Sequence, residues 1–456
     1  MASIGERKEL DDFLKRHPDV EVIDAIYSDL CNLWRGKRLE RGDAEKIYDR
    51  GLPVAGAVFL IDVTGETSDP GGRGYTDGDP DHLARPIAGS LVPVPWSKRP
   101  AAQVMMAFFD LEGRPYDASP RNLLERVSER LGRRGWRPTI AAELEFYLID
   151  PERTPDGAPQ PPVLPGTRQR ARSRQVYSMA DLDGYAAFLD AVATACEIQN
   201  IPASVASSEY APGQMEINLR HVDDPVLAAD HAVLLQRVVT TLARRHGMQA
   251  TFMAKPFPAE EGSGLHYHIS LPDRDGRNLF DDGTALGSET LRHAIGGMGE
   301  LAAESMALFA PNVNSYRRFS SGNYGGVSFS WGDNNRTVSV RLPVADGMAK
   351  RLEHRMAGAD SNPYLTLAAI LAGLDHGIEN RIDPGPPQQG AEAAGGGGDM
   401  PHNLRDALDT LARSERLVDY LGRDYIDLYV ATKRAEMERF MSFPSALEYS
   451  WYLGTG

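Results

Sequence analysis

Ile140-Ala141-Ala142-Glu143-Leu144-Glu145-Phe146-Tyr147-Leu148-Ile149 is an apolar run broken by two acids spaced two apart. A β-strand turns successive side chains to opposite faces. Read as a strand, the run puts Glu143 and Glu145 on one face and Leu144, Phe146 and Leu148 on the other. Like charges on one face of an apolar strand repel unless a cation lies between them or solvent screens them. The segment therefore reads either as the wet face of an edge strand or as a metal-ligating wall of a site.

Three other stretches carry the same kind of chemistry. Glu209-Tyr210-Ala211-Pro212-Gly213-Gln214-Met215-Glu216 sets two carboxylates across a Pro-Gly turn. Gly262-Ser263-Gly264-Leu265-His266-Tyr267-His268-Ile269-Ser270 is a Gly-rich turn followed by a strand with His266 and His268 on one face. A lone histidine is usually structural, but two on one face with carboxylates elsewhere suit a metal. Arg351, Glu353 and Arg355 would share a strand face, with Arg318, Arg336 and Arg341 in neighbouring segments. Arginine is the residue for bidentate capture of carboxylate and phosphate, although a surface ion-pair ladder is the plainer reading of residues 351–355 alone. There is no Walker A sequence, no Gly-x-Ser-x-Gly elbow and no local signature of a cysteine nucleophile.

The surrounding elements are mixed. Helices are expected over 2–17, 121–134 (with Pro120 at the first position), 182–198, 225–246, 363–374 and much of the last 55 residues. Strands are expected over 20–29, 54–63, 91–109 (two), 142–149, 251–256, 266–271 and 337–342, with another after the turn at 32–41. Residues 67–81, 151–174 and 384–398 read as loops; the arginines at 168, 170, 172 and 174 belong to a solvated loop rather than a polyanion patch. The order is α+β, with a boundary near Glu112-Gly113 that divides the chain into 1–112 and 113–456.

Composition narrows the class. With 49 Lys+Arg against 64 Asp+Glu, the net charge of −15 argues against nucleic acid as a partner. Two cysteines, Cys31 and Cys196, exclude a disulfide scaffold and a four-Cys zinc site. No apolar run reaches the roughly 18 residues of a membrane span, and the N-terminus is polar, so a cytoplasmic protein without membrane partners is expected.

At these residues the chain resembles the glutamine synthetase family, essentially end to end. The resemblance rests on Glu143-Leu144-Glu145-Phe146, the 209–216 and 262–270 segments and Lys255-Pro256-Phe257. It continues through Asn312 to Arg318, Asn335-Arg336-Thr337, Arg341-Leu342-Pro343, Glu353-His354-Arg355 and Asn362-Pro363-Tyr364-Leu365. It implies an N-terminal β-grasp domain and a catalytic domain whose curved antiparallel sheet forms a funnel. It implies a homo-dodecamer of two stacked hexameric rings, with sites between subunits. It implies two divalent cations, Mg²⁺ or Mn²⁺: one on Glu145, Glu209 and Glu216, the other on Glu143, His266 and Glu353. Arg318 and Arg355, with Gly262 and Gly264, would hold L-glutamate. Arg336, Arg341 and Arg351 would meet ATP phosphates, with His268 and Ser270 on the nucleotide side. The implied reaction phosphorylates the glutamate side chain and then admits an amine.

The departures point to the acceptor. Ammonia-using members carry a flap acid that would fall beside Asn323-Tyr324, yet no acid lies between Arg318 and Trp331. They also carry an N-terminal acid where Gly51-Leu52-Pro53-Val54-Ala55-Gly56 stands. The Asn usual before the Gly-Ser-Gly turn is Glu261. Desolvating a small ammonium ion without counter-charge is costly, whereas an amine with an alkyl body needs less of it. The expectation is a γ-glutamyl-amine ligase resembling the γ-glutamylputrescine and polyamine synthetases, the alternative a glutamine synthetase using ammonia. Glu209 and Tyr324 are candidates to take the amine proton, and Arg318 and Arg336 complete the catalytic set. A catalytically dead ring is disfavoured, because every implied ligand position is filled.

Overall fold

The computed structural model describes residues 3–319, 328–390 and 400–455. The N-terminal part carries α1 (Arg7–Arg16), β1 (Val22–Ser28), β2 (Trp34–Glu40), α2 (Ala44–Arg50), β3 (Leu52–Ala55), β4 (Asp81–Pro86), β5 (Val92–Pro93) and β6 (Ala101–Phe109). These strands form one sheet in the order β2-β1-β6-β4-β3, with β5 also on β6 and with β1 and β6 parallel. All residues of β1 and β6 are buried. A strand buried on both faces must be apolar throughout, and two cores supply the cover. Ile23, Ala25 and Tyr27 pack with Leu10, Phe13 and Ile47 from α1 and α2. Val22 and Ile26 face the main core, beside Leu123 and Val127.

The larger part begins with α3 (Pro120–Arg133), where the Ser119 hydroxyl caps the first turn by accepting from the Asn122 amide. Then come β7 (Thr139–Ile149), α4 (Met179–Gly184), α5 (Ala186–Ile198), β8 (Ala203–Ser208), β9 (Gln214–Leu219), α6 (Pro225–Arg245), β10 (Gln249–Thr251) and β11 (Leu265–Ser270). Next are α7 (Glu289–Glu300), α8 (Ala302–Phe309), β12 (Trp331–Asp333), β13 (Val340–Leu342), β14 (Leu352–His354) and α9 (Pro363–Asn380). The chain closes on α10 (Leu404–Arg413), α11 (Glu415–Leu421), α12 (Arg423–Met441) and α13 (Ala446–Tyr452). The second sheet runs β12-β13-β14-β11-β7-β9-β8, with β10 on β7, so β7 is central rather than an edge. Leu144, Phe146 and Leu148 face the helices with no exposure, as their alternation predicts.

Three expectations need correction. Residues 54–63 are not one strand: β3 stops at Ala55, and a 3₁₀ turn over Gly56–Phe59 drives Phe59 and Leu60 into the core. An apolar run of that length has the same pattern in either geometry. The strand expected over 251–256 ends at Thr251. The helix expected over 182–198 is broken at Tyr185 into α4 and α5. Helix α6 has the length and hydropathy of a bilayer span, but 72% of its apolar window is buried inside the fold, which makes it a core helix.

Candidate active site

The polar face of the second sheet is assembled by register. Across β7, Glu143 pairs with His266 on β11 and Asn218 on β9, and Glu145 pairs with Glu216. On the other side His268 pairs with Glu353, and Glu353 with Arg341. Strand periodicity then aligns these side chains on one surface. That surface and the loops around it line a cavity of about 820 Å³. Its walls include Glu143, Glu145, Glu209, Glu216, Glu261, Gly262, His266, His268, Arg318, Arg336, Arg341, Arg351 and Arg355.

The anionic side is tightly held. His268 Nε2 lies 2.8 Å from Glu143 Oε1, and Arg351 Nε donates to His268 Nδ1 at 3.2 Å. A ring nitrogen that accepts from arginine leaves its partner as the protonated donor, so the contacts fix the Nε2–H tautomer. The Gly264 amide donates to Glu145 Oε2 at 2.7 Å. The two glycines are needed for approach: a Cβ on Gly264 would lie 2.5 Å from His266 Nε2, and one on Gly262 would lie 2.6 Å from Arg318 Cγ.

Charge crowding shows in proton affinities. Burial pushes Glu209 up to about 8 and Glu216 to about 9, each reinforced by the neighbouring carboxylates of Glu143 and Glu145. Burial opposes ionisation of Glu143 too, but the imidazoles of His266 and His268 overcome it and hold it well below the usual carboxylate range. Glu353 is fully buried; Arg355 chiefly outweighs the burial and brings it to about 2. Arg341 Nη1 donates to Glu353 Oε2 at 2.6 Å, and Arg355 Nη1 to Oε1.

These donors suit a hard divalent cation. His266 Nδ1 is buried without a hydrogen-bond partner, 3.6 Å from Glu143 Oε2 and 3.9 Å from Glu145 Oε1. Ligand atoms of Glu143, Glu216 and His266 lie within 4.8 Å of one another, as do those of Glu143, His268 and Glu353. Oxygen-rich sets with one imidazole fit Mg²⁺ or Mn²⁺. Both clusters share Glu143, and the second contains His268, which the sequence placed on the nucleotide side.

Most of the expected residues converge. Glu353 lies behind the wall, under Arg341 and Arg355, and Gly264 reaches the site through its amide. Ser270 ends β11 opposite Thr139 and is not part of the cavity wall. Tyr324, with Asn323, falls outside the described residues. Sequence reasoning missed a wall made of Val176, Tyr177, Met179 and Leu182, continued by Val205 and Ala206. Tyr177 and Met179 are large apolar residues exposed at 63% and 66%, a signal that the sequence alone does not reveal.

A curved sheet with acids at its centre and arginines along its rim is the catalytic architecture of an ATP-using carboxylate–amine ligase. The family model for the glutamine synthetase catalytic domain matches residues 117–452, and the chain belongs to the glutamine synthetase family. It is 40% identical to γ-glutamylputrescine synthetase of Escherichia coli K12, over 98% of this chain and 94% of that one. It is 33% identical to a glutamate–isopropylamine ligase of a Pseudomonas species, over 97% and 96%. Ligand-free GmaS has a solved structure that superposes with a TM-score of 0.83 at 29% identity, over 97% of this chain and 98% of that one.

Proposed function

We propose that this chain is an ATP-dependent ligase that joins the γ-carboxylate of L-glutamate to a small amine, a primary amine or polyamine, through a γ-glutamyl phosphate. The observation that carries this reading is the convergence of five carboxylates, two histidines and five arginines on one cavity. Family membership and the relatives that act on putrescine and isopropylamine support it.

In this reading Glu145, Glu209 and Glu216 hold one divalent cation and Glu143, His266 and Glu353 the other, both Mg²⁺ or Mn²⁺. Such cations supply charge neutralisation for the phosphates and the leaving oxygen. Arg318 and Arg355, with the backbone of Gly262 and Gly264, orient glutamate. Arg336, Arg341 and Arg351 clamp ATP, with His268 toward the nucleotide and Ser270, outside the cavity wall, left out of that contact. A γ-carboxylate oxygen attacks the terminal phosphorus and ADP leaves; the amine nitrogen then attacks the carbonyl carbon of the resulting acyl phosphate, phosphate leaves, and the amine proton passes to an acceptor. Positioning and electrostatic clamping supply the rate, and Arg336 faces the developing phosphoryl charge. An alkylamine of pKa about 10.4 is free base in only about one molecule in a few thousand at neutral pH, so a proton acceptor is needed. Glu209, in the ionised form it takes when a cation is bound, is one candidate for that role and Tyr324 the other. The wall of Val176, Met179, Leu182, Val205 and Ala206 favours an acceptor with an alkyl body.

The same reading keeps the division into 1–112 and 113–456, a dodecamer of two stacked hexameric rings, and a cytoplasmic place. The test is phosphate release from ATP with glutamate and Mg²⁺ or Mn²⁺, across ammonium, ethanolamine, alkylamines, putrescine and spermidine. A strong response to an amine and a weak one to ammonium is expected. Turnover with ammonium alone would return the protein to glutamine synthesis.

A further inference from the structure

Behind Arg318 runs a buried polar chain that reaches the N-terminal part of the molecule. Asn312 to Arg318 forms the turn that delivers Arg318, and its geometry is pinned at Asp360. Asp360 Oδ2 accepts from Asn312 Nδ2 at 2.8 Å and from the Ser315 hydroxyl at 2.6 Å. That hydroxyl also accepts from the Asn312 amide at 3.0 Å. The other oxygen, Asp360 Oδ1, is buried with no hydrogen-bond partner. It lies against Gly358, where a Cβ would be 2.5 Å from Oδ1 and 3.5 Å from Arg318 Nη1. Arg318 Nη1 donates to the Met356 carbonyl at 3.0 Å, and the buried Asp360 carboxylate attracts the same guanidinium without touching it.

Asn312 is held in turn by α12. Lys433, only 1% exposed, donates to Asn312 Oδ1 at 3.1 Å and to Glu436 Oε1 at 2.5 Å. Glu436 Oε2 accepts from the Val63 amide at 3.3 Å, with the Cys31 thiol 3.8 Å away. One turn further, Arg439 clasps Asp62, and its Nη1 donates to Thr64 Oγ1 at 2.6 Å. Asp62 in turn accepts from the Thr64 and Glu66 amides. Hydrogen bonds therefore join the 62–66 turn, Glu436, Lys433, Asn312 and Asp360, and the turn over Ser315–Arg318 carries the path on to Arg318. Ordinary surface chemistry does not require a lysine here, and burying a charged pair is not a general source of stability.

We propose that Lys433 and Glu436 are positioning residues for Arg318, so that the docking of the 62–66 turn sets the affinity for the amino-acid substrate. This rests on the reading that Arg318 grips glutamate. Removing Lys433 leaves Glu436 and Asn312 without their common donor, and the Asn312–Arg318 turn keeps its bonds to Asp360 but loses its tie to α12. The nucleotide side, built on β11 and β14, is untouched.

The test is steady-state kinetics on the intact protein for Lys433→Met, Lys433→Arg, Glu436→Gln and Arg318→Lys, with thermal melting alongside. The expected result for Lys433→Met and Glu436→Gln is a tenfold or larger rise in KM for glutamate, with kcat within about threefold and KM for ATP unchanged. Lys433→Arg recovers most of the loss. Glu436→Gln is nearly isosteric and decides the matter if Lys433→Met does not fold. Unchanged glutamate KM in a folded variant, or equal rises in both KM values, overturns the proposal. If Arg318→Lys leaves glutamate KM unchanged, it is the assignment of Arg318 that fails, not the coupling.

Discussion

Glu145 and Glu216 stand directly opposite each other in the β7–β9 ladder. Burial raises Glu216 to about 9 and Glu209 to about 8, and the like charges of Glu143 and Glu145 add to both shifts. Both values are raised above the ordinary carboxylate range, so at these two sites the folded metal-free protein binds more protons than the unfolded chain. Their contribution to stability is full below about pH 4.5 and is lost as pH climbs from about 4.5 to 9. Metal ligands must be deprotonated, so cation binding near neutral pH releases up to about two protons. The metal-free protein is expected to lose melting temperature steadily through that window, and Mn²⁺ to remove most of the slope. Calorimetry of Mn²⁺ binding in two buffers of different ionisation heat reads the protons directly. Identical heats in both buffers would sink this account.

The buried Glu353 carries a second prediction. Its two oxygens satisfy Arg341 and Arg355, and Arg355 is only 6% exposed. Truncation leaves two cations facing each other in a buried place, which typically costs about 3–5 kcal/mol. Glu353→Ala is expected to lose that much in urea unfolding without added metal. Because Glu353 ionises at about 2, below its ordinary range, its contribution is present above about pH 4.5 and lost as pH falls through 2. The difference between wild type and variant should therefore shrink at low pH. A constant difference across pH would show that the loss is one of packing, not charge.

How far the sequence reveals this site depends on the residue. Glu143, Glu145, His266 and His268 were legible because a period of two converts spacing into a shared face. The arginine-bearing segments were legible as chemistry, but their burial was not: only the sheet order shows Glu353 at the bottom of a clamp. The two glycines read as a turn, whereas the structure shows that they make room for His266 and Arg318. The 176–182 wall was illegible because a loop and a broken helix carry no period. Residues 54–63 misled for the opposite reason, an apolar pattern common to a strand and to a 3₁₀ turn that inserts Phe59.

Gly264→Ala separates approach from backbone freedom. Gly264 does not have a left-handed backbone, so alanine meets no conformational penalty there. Its methyl would instead lie 2.5 Å from His266 Nε2, and His266 is 5% exposed with little room to yield. Overpacking of this kind costs about 1–3 kcal/mol. The variant is expected to fold, melt a few degrees lower and bind Mn²⁺ at least tenfold more weakly in a direct titration. Wild-type Mn²⁺ affinity in the variant would mean that His266 can retreat, and would weaken its assignment as a ligand.

Arg351 separates charge from geometry on the nucleotide side. Its Nε is committed to His268 Nδ1 at 3.2 Å and its Nη1 to the Ala349 carbonyl at 3.1 Å, while the guanidinium lines the cavity. Lysine preserves the positive charge but has no planar fork with which to hold His268 and reach a phosphate together. Loss of an outer partner that orients a site imidazole typically costs about 10–100-fold in affinity or activity. Arg351→Lys is expected to raise KM for ATP about tenfold and Arg351→Met further, both leaving KM for glutamate near wild type. Steady-state kinetics with ATP varied at saturating glutamate, then the reverse, measures the split. An Arg351→Lys variant with wild-type ATP kinetics would show that charge alone is used there, and that the bond to His268 does not position the nucleotide side.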